Sequence, residues 1–114
     1  MKPEGYPPRV RVRKRSDFQA AYAVGNKRVG KHCVLFVRPN EEAFARLGVT
    51  ATRKLGKANR RNRAKRLVRE AFRRIQSELP TGFDYVVVAR HTIFGASPTQ
   101  LGPELLRLAG ATSR

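Results

Sequence analysis

The chain has 114 residues, of which 25 are Lys or Arg and 8 are Asp or Glu, for a formal net charge of +17. That length fits one domain, and its 28 Val, Ile, Leu and Phe residues supply a modest core, which excludes a wholly disordered chain. No apolar run approaches the ~20 residues of a membrane span, no apolar stretch near the first residues suggests a secretory signal, and a single cysteine, Cys33, excludes an internal disulfide or a cysteine-built zinc site. So much unbalanced positive charge on a small globule repels itself, and its natural complement is a polyanion. A cytoplasmic nucleic-acid-binding domain is the expectation.

Residues 1–12 read as a flexible basic arm, since Pro3, Gly5, Pro7 and Pro8 break regular structure and residues 9–15 hold five cations. One domain is expected over 13–110, with a disordered tail at 111–114. In Ser16-Asp17-Phe18-Gln19 the serine is placed to cap a helix and Gln19 stands three positions on, as in a capping box. Phe18, Ala21 and Tyr22 follow at helical spacing and Gly25 ends the pattern, which predicts a helix over 17–24. Residues 31–38 read as a strand rich in β-branched and aromatic side chains, preceded by a short one at 27–29. A further strand is expected over 46–53 and is broken by Gly56.

A helical pattern then runs from 58 to 79 and stops at Pro80-Thr81-Gly82. Residues 84–90 form the most strand-like run, and their near-continuous apolar character predicts a central strand covered on both faces. Ser97 or Thr99 opens a last helix with Leu101, Leu105, Leu106 and Leu108 as its stripe. The order α-β-β-(β)-α-β-α predicts an α+β sandwich, a mixed sheet of about four strands with helices packed on it.

Residues 53–74 hold eleven Lys or Arg and one acid, Glu70. On a helical wheel Ala64, Leu67, Val68, Ala71, Phe72, Ile75 and Leu79 share one arc of about 140° and form the core face. Asn62, Arg66, Arg69 and Arg73 lie opposite. Arg60 and Arg61 project on the apolar side, and escape burial only if the start of the helix overhangs the sheet edge. A solvated helix face normally mixes signs to gain i,i+4 pairs. Here Arg66, Arg69 and Arg73 repel one another, so phosphates are the expected counterions, and arginine suits them through bidentate contacts.

Four blocks of this sequence resemble the protein component of bacterial ribonuclease P. The stretch Arg61-Asn62-Arg63-Ala64-Lys65-Arg66-Leu67-Val68-Arg69 resembles that family's RNR-motif helix. Arg13-Lys14-Arg15-Ser16-Asp17-Phe18 is similar to its N-terminal entry, residues 52–58 to its approach to the motif, and residues 84–90 to its last strand. The resemblance implies a subunit that joins a catalytic RNA to remove the 5′ leader of precursor tRNA. It implies that the active site and its Mg2+ belong to the RNA, with no cofactor on protein side chains, no catalytic residue in the protein, no membrane and no obligate protein partner. It also implies a left-handed βαβ crossover, against the general rule.

By the same resemblance Arg53, Lys54, Arg60, Arg61, Asn62, Arg63, Lys65, Arg66 and Arg69 contact the RNA subunit. Phe18, Tyr22 and Phe36, with Arg13, Lys14 and Arg90, hold the single-stranded leader; aromatics beside cations are what sequence-tolerant single-strand binding requires. Two positions depart from the family pattern: Asn59, placed to act as an N-cap, and Ala64, which thins the core under the helix start. The alternative is a ribosomal or general RNA-binding protein with no role in cleavage. A self-sufficient metal nuclease is disfavoured because outside Glu41-Glu42 the acids are scattered in sequence. His32 and His91 lie too far apart for a metal motif, and Cys33 reads as a small buried apolar residue.

Overall fold

The computed structural model describes residues 11–110 except Arg13 and Gly25. The elements are α1 (Arg15–Val24), β1 (Lys27–Val29), β2 (Cys33–Pro39), β3 (Arg46–Thr50), α2 (Ala58–Ile75), β4 (Phe83–Ala89) and α3 (Pro98–Gly110), with short 3-10 turns at Arg53–Leu55, Gln76–Glu78 and His91–Gly95. The sheet order is β1-β2-β4-β3. β2 pairs antiparallel with β1 and β4, whereas β3 runs parallel to β4 and reaches it through α2. The mixed four-stranded α+β architecture agrees with the sequence pattern, and β4 is the central strand its apolar run predicted.

Alternation decides what each face covers. Cys33, Leu35 and Val37 of β2 and Tyr85 and Val87 of β4 are buried in the main core with Val68, Phe72 and Ile75 of α2 and Leu101 and Leu105 of α3. Phe36 faces the other side, where α1 packs: the Tyr22 ring meets it edge-on at 5.0 Å between centroids. Gly48 of β3 sits under α1, and a Cβ there would lie 2.8 Å from Phe18 Cε1 and 2.9 Å from Val12 Cβ. The absent side chain is what lets α1 approach the sheet.

Several boundaries differ from the sequence pattern, each for a local reason. α1 starts at Arg15, because the Lys14 carbonyl accepts from the amides of Asp17 and Phe18; Ser16 is therefore inside the first turn and not its cap. Asn59 does not cap α2 either. Lys57 occupies the N-cap with extended backbone, and the Asn59 side chain accepts from the amide of Arg60. α2 gives way to a 3-10 turn after Ile75, so Leu79 packs from beyond the helix. At α3 the capping box does form: Ser97 Oγ accepts from the Gln100 amide, and Gln100 Oε1 accepts from the Ser97 amide. Arg11 and Val12, assigned to the arm by composition, belong to the folded body: Arg11 bridges to Leu47 and the buried Val12 donates its amide to the Leu47 carbonyl. Residues 1–10 and 111–114, the rest of the expected arm and the tail, lie outside the described residues, as does Arg13.

Two ion-pair clusters fasten the helices to the sheet. Fully buried Asp84 receives both Nε and Nη2 of Arg46 at 2.7 Å and Asn40 Nδ2 at 2.8 Å. Arg38 and Arg46 also reach Asp17, which ties α1 to the same point. At the other end of the sheet, Glu104 of α3 is buried against the turn before β2. Its carboxylate takes the His32 amide at 2.9 Å and pairs with His32 Nδ1 at 2.6 Å. Among the described residues no helix is long and apolar enough to cross a membrane.

Candidate nucleic-acid interface

The chain enters α2 through the turn Arg53–Leu55 and then Gly56, whose φ of +121° suits only glycine. This bend lets Arg60 fold back. Its Nε donates to the Leu55 carbonyl at 2.9 Å, and its guanidinium lies 4.1 Å from the centroid of the Phe94 ring. Arg63 stands 6.0 Å from the same centroid. Arg61 is half-buried, and its Nε, out of contact with solvent, has no hydrogen-bond acceptor among the described residues. So the helix start overhangs the sheet enough to expose Arg60 but not Arg61, and the two arginines differ as sequence periodicity did not anticipate.

The first turn of α2 contains no acid. Cations at a helix N-terminus oppose the helix dipole, each at a cost of roughly 0.3–1 kcal/mol. Arg60, Arg61 and Arg63 sit there together with Lys57 as the cap, and Arg53 and Lys54 stand exposed on the preceding turn. Glu70, the single acid of the helix, pairs with Arg73 at 2.7 Å, one turn further from this end. Asn62 and Arg66 are exposed and Lys65 is half-buried. An anion at this end would be attracted both by the helix dipole and by these cations, and would offset their repulsion.

On one flank of α2 an open groove of about 410 Å³ runs between α1 and the edge of β3. Arg15, Phe18, Tyr22, Val49, Thr50, Ala51 and Lys65 line it. Tyr22 is fixed by a 2.6 Å hydrogen bond between its hydroxyl and that of Thr50. A smaller recess continues past Phe18 to Arg11 and Arg69. The fold thus brings Phe18 and Tyr22 to one groove with Lys65, while Phe36 stands behind Tyr22 and supports its ring without lining the groove. Lys14 is exposed at the start of α1. Arg90 is directed elsewhere, donating to the Gly30 carbonyl at 2.7 Å. Sequence reading missed Arg15 and Thr50 as groove residues, although the alternation along β3 puts Thr50 on the α1 face. It also gave His32 no role, because its partner Glu104 lies 72 positions away.

Among the described residues no three His, Cys, Asp or Glu side chains converge as a metal-binding group. Asp17 and Asp84 do meet in space, but around the guanidinium of Arg46. Cys33 is buried and its thiol is pushed up to about 12, by burial first and by Glu104 second, so it is no nucleophile at neutral pH.

A mixed sheet with one basic helix end, and beside it a groove combining aromatic rings and cations, defines a class: small α+β proteins built to meet a polyanion. Comparison with known proteins narrows this. The ribonuclease P family model matches residues 6–112. The ribonuclease P protein component of Thermotoga maritima is 42% identical over 87 residues, covering 76% of this chain and 74% of the relative. That of Brevibacillus brevis is 41% identical over 81 residues, covering 70% and 64%. The solved structure of the Thermotoga maritima ribonuclease P protein superimposes with a TM-score of 0.80 at 35% identity, over 91% of this chain and 98% of that one. The chain belongs to the ribonuclease P protein family.

Proposed function

We propose that this chain is the protein component of ribonuclease P in tRNA 5′-end maturation, and that it works by holding two RNAs on the two sides of one helix end. At the start of α2, Arg53, Lys54, Arg60, Arg61, Asn62, Arg63 and Arg66 face the catalytic RNA subunit. The groove between α1 and β3 holds the single-stranded 5′ leader of precursor tRNA, with Phe18 and Tyr22 as stacking surfaces and Lys65 and Arg15 for the backbone. Stacking on aromatic rings is tolerant of sequence, which suits leaders that differ from one tRNA to the next.

The observation that carries this reading is the uncompensated helix start. Arg53, Lys54, Arg60 and Arg63 stand exposed together at the positive end of a helix whose first turn has no acid. Exposed guanidiniums so placed meet phosphate oxygens through bidentate, charge-assisted contacts. The chemistry is assigned to the RNA and to Mg2+ held there. In support, the partly or fully buried acids among the described residues are already engaged, Asp17 and Asp84 by arginines, Glu70 by Arg73 and Glu104 by His32.

Reconstitution tests this directly. The purified chain with Mg2+ alone should leave precursor tRNA intact, and addition of the RNA subunit should give accurate 5′ cleavage that the chain improves. Cleavage by the chain alone would overturn the division of labour. Failure to bind the RNA subunit would overturn the assignment of α2.

A further inference from the structure

The opposite flank of α2 carries a second groove, of about 350 Å³, between that helix and the start of α3. Arg63 and Arg66 form its wall, Leu67 and Pro98 its apolar surface, and Glu70 its end. This size falls within the ~300–1,000 Å³ of pockets that take small organic groups. Among the described residues neither Arg63 nor Arg66 has an ion-pair partner, while the Glu70 carboxylate is turned to Arg73. Leu67 and Pro98 are only half-buried, an apolar surface left open beside two unbalanced cations. At the groove's margin Arg63 stands near Phe94, whose ring carries the Arg60 guanidinium.

Phosphates alone would account for the arginines but not for the apolar surface between them. The outside of an RNA duplex offers phosphates and sugars and hides its base faces, so a duplex would leave the open parts of Leu67 and Pro98 uncovered. We propose that this groove binds an unpaired nucleotide of the RNA subunit, with its base against Leu67 and Pro98 and its phosphate between Arg63 and Arg66. The proposal rests on the assignment of α2 to the RNA subunit and adds a specific site and nucleotide type to it. On this account α2 reads two kinds of single strand, the substrate leader on its Lys65 side and a looped-out nucleotide of the RNA subunit on its Arg66 side.

The test is equilibrium binding of the full chain to the RNA subunit transcribed alone, across a salt series. Pro98 is the first residue of α3, where an acidic side chain favours the helix dipole, so Pro98→Asp keeps the fold while placing negative charge in the groove. It should weaken binding about tenfold, the scale of one lost base contact. Leu67→Ala should weaken binding about fivefold with an unchanged salt slope, since it removes an apolar contact only. Arg66→Ala should flatten the slope by about 0.7–0.9, one phosphate.

Thermal melting of each variant confirms the folded state, and Arg61→Ala serves as the control for the parent assignment. If Arg61→Ala weakens binding while Pro98→Asp and Leu67→Ala stay within twofold of the unsubstituted chain, the groove proposal falls and the α2 assignment stands. If Pro98→Asp leaves RNA-subunit binding intact and lowers only affinity for precursor tRNA, the groove belongs to substrate and the proposal is wrong. If the unsubstituted chain does not bind the RNA subunit, both fall together.

Discussion

Arg46 of β3 holds Asp84 of β4 through two parallel hydrogen bonds of 2.7 Å, and the carboxylate it holds is fully buried. The pair pins the parallel strands on either side of the α2 crossover and, through Asp17, the start of α1 as well. Donation to the Asp84 carboxylate is the foremost cause that holds the Arg46 guanidinium above its ordinary pKa. Asp84→Asn would leave Arg46 without its bidentate partner. Breaking such a pair typically costs about 3–5 kcal/mol, and partial exposure of Arg46 puts the expected loss near the lower figure. Urea unfolding measures it; a loss below about 1 kcal/mol would show the pair to be dispensable.

A second anchor predicts a pH dependence. Burial pushes the Glu104 carboxyl up, but the amide, ring and charge of His32 outweigh it and hold the group below its ordinary value of 4.5. A carboxylate with a lowered folded pKa contributes stability that is complete above its unfolded pKa and is lost as pH falls through the folded one. Stability from this anchor should therefore decline in the acid range below about 4.5, and Glu104→Gln should remove that part of the decline. Denaturation midpoints of both proteins between pH 6 and pH 3 check it. Parallel curves would contradict the role given to Glu104.

Cys33 sits against the same carboxylate, with Sγ 3.7 Å from Glu104 Oε2, and is wholly buried. Its thiol should react with an aromatic disulfide reagent only as the sheet opens, so the labelling rate should follow global unfolding as denaturant is added. Labelling within seconds in native buffer would show local opening at this end of β2.

Gly48 sets the distance between α1 and the sheet. Gly48→Ala places a Cβ against Phe18 and Val12 and should destabilise the fold by about 1–3 kcal/mol through overpacking. Because α1 must move, the Phe18 and Tyr22 rings shift relative to β3. Discrimination between precursor and mature tRNA should fall while affinity for the RNA subunit is kept. Equal loss of both affinities would place the leader elsewhere.

The sequence made some of this legible and hid the rest for physical reasons. Element types followed from periodicity: the apolar run of β4 predicted a central strand, and the wheel of α2 separated its core face from its arginines. Capping was harder. The two serine-led boxes look alike, yet the one at Ser97 closes while Ser16 is drawn into the helix by the Lys14 carbonyl. Interactions between distant residues left no local trace, so the Asp84–Arg46 and Glu104–His32 anchors and the Arg60–Phe94 stack emerged only with the fold. Of the groove residues, Phe18 and Tyr22 came from the family resemblance, as aromatics of the kind single-strand binding requires. Arg15 and Thr50 became visible only once α1 was laid on β3.

The proposed function requires that an RNA backbone complete the start of α2. Its most direct test is the salt dependence of affinity for the RNA subunit in the unsubstituted chain, in Arg61→Ala, in Arg63→Ala, and in Arg107→Ala on the exposed face of α3. Each phosphate contact contributes about 0.7–0.9 to the slope of log affinity against log salt. The slope should be steep, with Arg61→Ala and Arg63→Ala each reducing it by about one such step and Arg107→Ala leaving it unchanged. A flat dependence, or an equal loss in all three variants, would contradict the proposed function.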